Sequence, residues 1–157
     1  MAEAPTATEL RELLESRKIE RVLFDYAHNL DINQPEEMTK LFTDDCVVTY
    51  APNFGAEGKD AYRETLNGIG TYFSATTHHV SNVVIDFIDE NTAQVRSVLM
   101  AIHRYTRERP DGWMFGQYHD TMVKGDNGQW QFKRRELRTT MGMDYHVKTS
   151  HPLGRAE

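Results

Sequence analysis

His78-His79-Val80-Ser81-Asn82-Val83-Val84-Ile85-Asp86-Phe87-Ile88 is a β-rich run that ends at the turn residues Asp89-Glu90-Asn91, and a second such run, Ala93 to Tyr105, follows. β-Branched and aromatic residues bounded by turn chemistry read as an antiparallel hairpin. The pattern repeats downstream. Met114 to Lys124 and Gln129 to Met141 are strand-like, with Arg109-Pro110-Asp111-Gly112 and Gly125-Asp126-Asn127-Gly128 as the turns between them. Two imidazoles at the head of an apolar strand are costly unless each has a partner.

Upstream the period changes from two to helical. Thr6-Ala7-Thr8-Glu9 has capping-box spacing, and Leu10, Leu13, Leu14, Ile19, Val22, Leu23, Tyr26, Ala27 and Leu30 form one stripe. This predicts one long helix, or two with a bend near Ser16 to Lys18. A second helix restarts at Asn33-Gln34-Pro35-Glu36-Glu37 and buries Met38, Leu41 and Phe42. Thr43-Asp44-Asp45 is expected to break it, before a strand from Cys46 to Tyr50 that stops at Pro52, Gly55 and Gly58. A third helix is expected over Lys59 to Leu66, closed by Gly68 and Gly70. Gly142 to Glu157 reads as a tail, either a free end or, through Met143, Tyr145, Val147 and Leu153, a cover for a pocket mouth. Helices first and long hairpins afterwards predict a single α+β domain over 1–157, its core at about 8–141, with helices on one face of a curved, mainly antiparallel sheet.

A chain of 157 residues can bury roughly two thirds of its unfolded surface without disulfides. The lone Cys46 excludes an internal disulfide framework, and residues 1–5 lack the apolar core of a signal peptide. A soluble, cytoplasmic protein is expected. A net charge of −6 without a Lys/Arg stripe argues against nucleic acid or an anionic membrane as partner. No apolar run spans a bilayer. An exposed convex sheet face calls for a cover, so a homo-oligomer, dimer or trimer, is expected.

Antiparallel partners across a hairpin have residue numbers of constant sum, so the turn centres predict who faces whom. A first turn centred between Glu90 and Asn91 sets His78 opposite His103. A second centred between Pro110 and Asp111 sets His103 opposite Tyr118, giving three proton-exchanging side chains in one row. The third turn opposes Tyr118 either to Arg135 or, with Asn127-Gly128 as the loop, to Leu137. His79 has the opposite parity and faces outward.

An imidazole titrates near neutrality, so His78 can act as a base once a carboxylate orients it and stabilises its protonated form. Asp31, where the helical stripe ends, is the best candidate for that carboxylate. Tyr26, Tyr50 and Tyr118 could hydrogen-bond a carbonyl or enolate oxygen as charge develops. Each residue also has a plainer reading: a half-exposed strand histidine, a helix-end aspartate, packed tyrosines with satisfied hydroxyls. Adjacent strand residues such as His119-Asp120 point to opposite faces and no zinc spacing is present, so no metal is expected. Cys46 carries no mark of a nucleophile.

The segments Tyr26-Ala27-His28-Asn29-Leu30-Asp31, Leu41-Phe42-Thr43-Asp44-Asp45-Cys46-Val47-Val48, Thr77-His78-His79-Val80-Ser81-Asn82, Gly116-Gln117-Tyr118-His119-Asp120 and Gly128-Gln129-Trp130-Gln131-Phe132 resemble the SnoaL-like branch of the nuclear transport factor two-like superfamily. The resemblance runs from about Thr8 to Thr140. It implies a cone-shaped α+β barrel with a pocket between helices and sheet. Within that superfamily the chain looks most like the scytalone dehydratase, bile-acid dehydratase and hexachlorocyclohexane dehydrochlorinase group. Those enzymes eliminate without a cofactor, using an Asp and His pair that matches Asp31 and His78. The same match places His103 where scytalone dehydratase has its second histidine, so it is expected to be catalytic, and matches Tyr26 and Tyr50 to tyrosines of those enzymes; with Tyr118 and Arg135 from the hairpin register, and Asn82, these are the expected substrate-binding side chains. The implied activity is a cofactor-free dehydratase or isomerase of a small hydrophobic cyclic or carbonyl substrate. The alternative is a non-catalytic binding domain or a module like an oxygenase β subunit, since fold alone does not set function.

Overall fold

A computed structural model describes residues 4–145. The helical stripe folds as one unbroken helix, α1 (Ala7–Asp31), with no bend at Ser16 to Lys18. Its start is the expected capping box: Thr6 accepts from the Glu9 N–H, and the Glu9 carboxylate accepts from the Thr6 N–H at 2.7 Å. Such a cap contributes about 1 kcal/mol. Only the second half of the stripe packs. Ile19, Leu23, Tyr26 and Ala27 are buried, whereas Leu10, Leu13 and Leu14 stay exposed.

α2 (Pro35–Lys40) is a short turn of helix, and β1 (Phe42–Ala51) begins at once, so Thr43-Asp44-Asp45 is strand rather than breaker. The two carboxylates are tolerated there because both are exposed to solvent, with Lys59 beside Asp44 at 2.6 Å and Lys133 beside Asp45. β2 (Phe54–Glu57) folds back on β1 as a hairpin that the turn residues had concealed. Gly55 is required in it, since a Cβ there would lie 2.1 Å from the Val48 carbonyl oxygen. α3 (Lys59–Tyr72) runs past Gly68 and Gly70 instead of ending at them. Gly70 serves close approach: a Cβ would meet the Asn33 amide at 2.8 Å.

The four long strands are β3 (Phe73–Asp89), β4 (Thr92–Tyr105), β5 (Asp111–Lys124) and β6 (Trp130–Tyr145). Gly142 to Tyr145 therefore belong to β6, and the rest of the expected tail lies outside the described residues. The sheet order is β2-β1-β6-β5-β4-β3, antiparallel except for the parallel β1–β6 pair. It curves without closing, and helices cover its concave face, the cone-shaped α+β architecture expected from the sequence. The core lies between them: Leu23, Tyr26, Met38 and Phe42 against Leu99, Ala101, Tyr118, Met122 and Phe132.

The register differs from the hairpin arithmetic in two places. Bulges between Ser81 and Val84 and between Phe87 and Asp89 slide β3 by two residues, so His78 pairs with Ala101 and His103 with Thr76. A shift of two preserves the face. The second connection is the five-residue loop 106–110, not a tight turn on Pro110-Asp111, and it pairs His103 with Gly112. Tyr118 consequently pairs with Ser97, on the same face as the histidines but well along the sheet from them. At the third hairpin Tyr118 pairs with Leu137, the Asn127-Gly128 alternative.

Candidate active site

β3 is an edge strand, so alternate N–H groups along it face no neighbouring strand. At His78 that N–H meets the last residue of α1: it donates to Asp31 Oδ2 at 2.9 Å. The strand period places Thr76 and His78 on the same face, and both side chains reach the same carboxylate. His78 Nδ1 lies 2.6 Å from Asp31 Oδ1, and the Thr76 hydroxyl donates to Oδ1 at 2.9 Å. An ionised Asp31 makes Nδ1 the protonated ring nitrogen and leaves the lone pair on Nε2. Nε2 has no hydrogen-bond partner among the described residues. The His78 side chain is 5% exposed and that of Asp31 15%. This is an oriented, dry imidazole with one free basic nitrogen.

His103 stands beside it, ring centroids 5.4 Å apart and planes at 83°, and packs against Phe73 at 4.7 Å. It lines a cleft of about 340 Å³ at the strand ends, with Tyr105, Met114, Thr139 and Met143 around it. That volume is at the small end of ligand pockets. A larger groove of about 1130 Å³ runs along α1 past Leu14, Val22 and Trp130 and contains neither Asp31 nor His78. The smaller cleft does not have them in its lining either, and meets the pair through His103, whose ring stands against His78.

The remaining expected residues gather elsewhere on the concave face. Tyr26 and Tyr50 share a hydrogen bond of 2.8 Å between hydroxyls, and Tyr50 shares another of 2.8 Å with Tyr62, a residue of α3 that no sequence signal marked. Arg135 is not a surface cation awaiting substrate. It is fully buried, its guanidinium 3.9 Å from the ring centres of both Tyr26 and Tyr118, and it donates to both oxygens of Asp120 at 3.0 and 2.9 Å. Burial works against the Arg135 charge, but Asp120 and the two phenols outweigh it and raise its pKa. Burial pushes the Asp120 carboxyl up against the pull of that guanidinium. Burial also pushes the Tyr50, Tyr62 and Tyr118 phenols well above the usual tyrosine range. The Asp120 partner was detectable in principle, since it shares the inward parity of Tyr118 and Met122.

Asn82 sits in the β3 bulge with φ 49° and an exposed side chain, away from the dyad. His79 is exposed on the opposite face, as parity predicted. Burial pushes the Cys46 thiol up, which disfavours the reactive thiolate. Among the described residues no three His, Cys, Asp or Glu side chains gather as metal ligands would. No helix among them is long and apolar enough to cross a membrane.

The model of the SnoaL-like domain matches residues 11–136. Among solved structures, a protein of Novosphingobium aromaticivorans DSM 12444, named a candidate scytalone dehydratase, is 63% identical over 94% of this chain and 98% of its own, with a TM-score of 0.82. LinA superposes with a TM-score of 0.83 at 16% identity, covering 90% of this chain and 98% of its own. The hexachlorocyclohexane dehydrochlorinase LinA-type3 of Novosphingobium barchaimii LL02 gives 0.82 at 14% identity, over 90% and 99%. At those identities the two dehydrochlorinases show a common fold. A search of curated proteins gave no match.

Proposed function

The chain belongs to the SnoaL-like domain family, and from that premise and the Asp31–His78 pair we propose that it is a cofactor-free lyase, a dehydratase of a small hydrophobic cyclic or carbonyl-containing substrate. The observation that carries this reading is the 2.6 Å contact that holds Nδ1 to Asp31 and leaves Nε2 free. Nε2 takes a proton from a carbon next to a carbonyl, and the electron pair left behind forms the double bond as hydroxide departs. The imidazolium, stabilised by Asp31, returns its proton to that hydroxide, and water leaves. If the proton goes back to a different carbon and nothing departs, the outcome is isomerisation. General base catalysis contributes about a hundredfold to ten-thousandfold, so positioning in a dry site has to supply the rest.

His103, edge-on to His78 and lining the cleft, is the second proton-exchanging group in reach of a substrate there. Tyr26 and Tyr50 belong to the phenol network, and Arg135 with Tyr118 acts as its buried foundation. The convex face, with Met100, Phe115 and Met141 brought side by side by the register, is the surface through which copies of the chain associate.

The test is a screen of hydroxy-ketones, steroids and aromatic polyketides for loss of water, run beside His78→Ala and Asp31→Ala. Turnover by the native chain that both variants lack supports the reading. Turnover that both retain overturns the mechanism. Binding without turnover on any substrate makes the protein a ligand-binding module.

A further inference from the structure

We infer that Thr76 is a positioning residue for the dyad, acting through its hydroxyl; the inference rests on the lyase reading of Asp31 and His78. Asp31 is the last residue of α1, where the helix presents its negative pole, an unfavourable place for a carboxylate. Three donors converge on it: the His78 N–H on Oδ2 at 2.9 Å, and His78 Nδ1 and the Thr76 hydroxyl on Oδ1 at 2.6 and 2.9 Å.

These donors differ in what they fix. The backbone N–H holds one oxygen but leaves the carboxylate free to swing about that contact. The Thr76 hydroxyl is the second fixed point, and it acts on the oxygen that must face Nδ1. Thr76 is itself 7% exposed, and its β-branch restricts χ1, so the hydroxyl is aimed before any substrate arrives. Because Thr76 and His78 are two residues apart on one strand face, the strand period sets the distance between donor and imidazole. With its proton donated to Asp31, the hydroxyl acts on the reaction by keeping Oδ1 under the ring.

Thr76→Val keeps the shape and removes the hydroxyl, and Thr76→Ser keeps the hydroxyl and removes the methyl. Thr76→Ala replaces the valine variant if that one does not fold. Two readouts are taken on the full chain: the downfield resonance of the His78 Nδ1 proton by NMR without substrate, and kcat and KM on the best substrate of the screen. The expected result is that the valine variant loses the downfield resonance and about tenfold to a hundredfold in kcat at unchanged KM, with the serine variant near the native chain. A valine variant that keeps both the resonance and kcat overturns the inference. So does a serine variant as impaired as the valine one, which would assign the role to the methyl group. The resonance needs no substrate, so it decides the role of Thr76 even if His78→Ala and Asp31→Ala retain turnover and the lyase reading fails.

Discussion

His78 Nδ1 lies 2.6 Å from Asp31 Oδ1 while the His78 backbone N–H binds the other oxygen of the same carboxylate. One aspartate thus fixes both the strand position and the ring tautomer of His78. Asp31→Asn retains an acceptor oxygen but can turn its amide toward Nδ1, which would then have to be the unprotonated nitrogen. That puts the proton on Nε2 and removes the base. We expect turnover to fall by at least about a hundredfold, the smaller end of what a general base supplies, with circular dichroism and the unfolding midpoint little changed. Loss of the folded signal in place of turnover would show a structural role for the pair.

The phenol network gives a pH prediction. Burial holds Tyr50, Tyr62 and Tyr118 protonated well above the usual range. Below about pH 10 these phenols are neutral in folded and unfolded chains alike, so their contribution is complete. Above it the unfolded chain ionises them and the folded chain does not, so stability falls as pH rises further. Tyrosinate absorbance should show at least these three of the seven tyrosines silent until the chain unfolds. Smooth, reversible titration of all seven in the native protein would contradict it.

The dyad was legible in the sequence because each member is out of character where it stands: a histidine heading an apolar strand, an aspartate closing an apolar helical stripe. Thr76 was not, because threonine is an ordinary strand residue and only the edge position of β3 makes its hydroxyl matter. The histidine face came out correctly because the slide along β3 is an even number of residues. The place of Tyr118 did not, since Pro110 closes a five-residue loop and is no turn centre. α3 outran its expected end because a glycine that permits close approach looks, in sequence, like one that ends a helix. In each case a tertiary contact overrode a local signal.

Arg135 and Asp120 are both fully buried, and each is the other's charge partner. Asp120→Ala leaves a guanidinium uncompensated in the core. We expect a loss of about 3–5 kcal/mol, read from the denaturant midpoint. A second variant, Asp120→Leu with Arg135→Met, removes both charges and should recover much of that loss. If the double variant is as unstable as the single one, the stacking of Arg135 on Tyr26 and Tyr118, and not its charge, is what the core requires.

The convex face is the last feature that a measurement can settle. Cross-strand pairing sets Met100 beside Phe115 and Phe115 beside Met141. Met141 is more than half exposed. A stable association needs about 800 Å² from each partner, an area that a four-strand sheet face can provide. Met141→Glu puts a carboxylate in the middle of this patch and has no contact with Asp31 or His78. Light scattering coupled to size exclusion should find the native chain as a dimer or trimer and the variant as a monomer, with secondary structure intact. A native chain that runs as a monomer at every concentration would leave the face without a self-partner and refute the assignment.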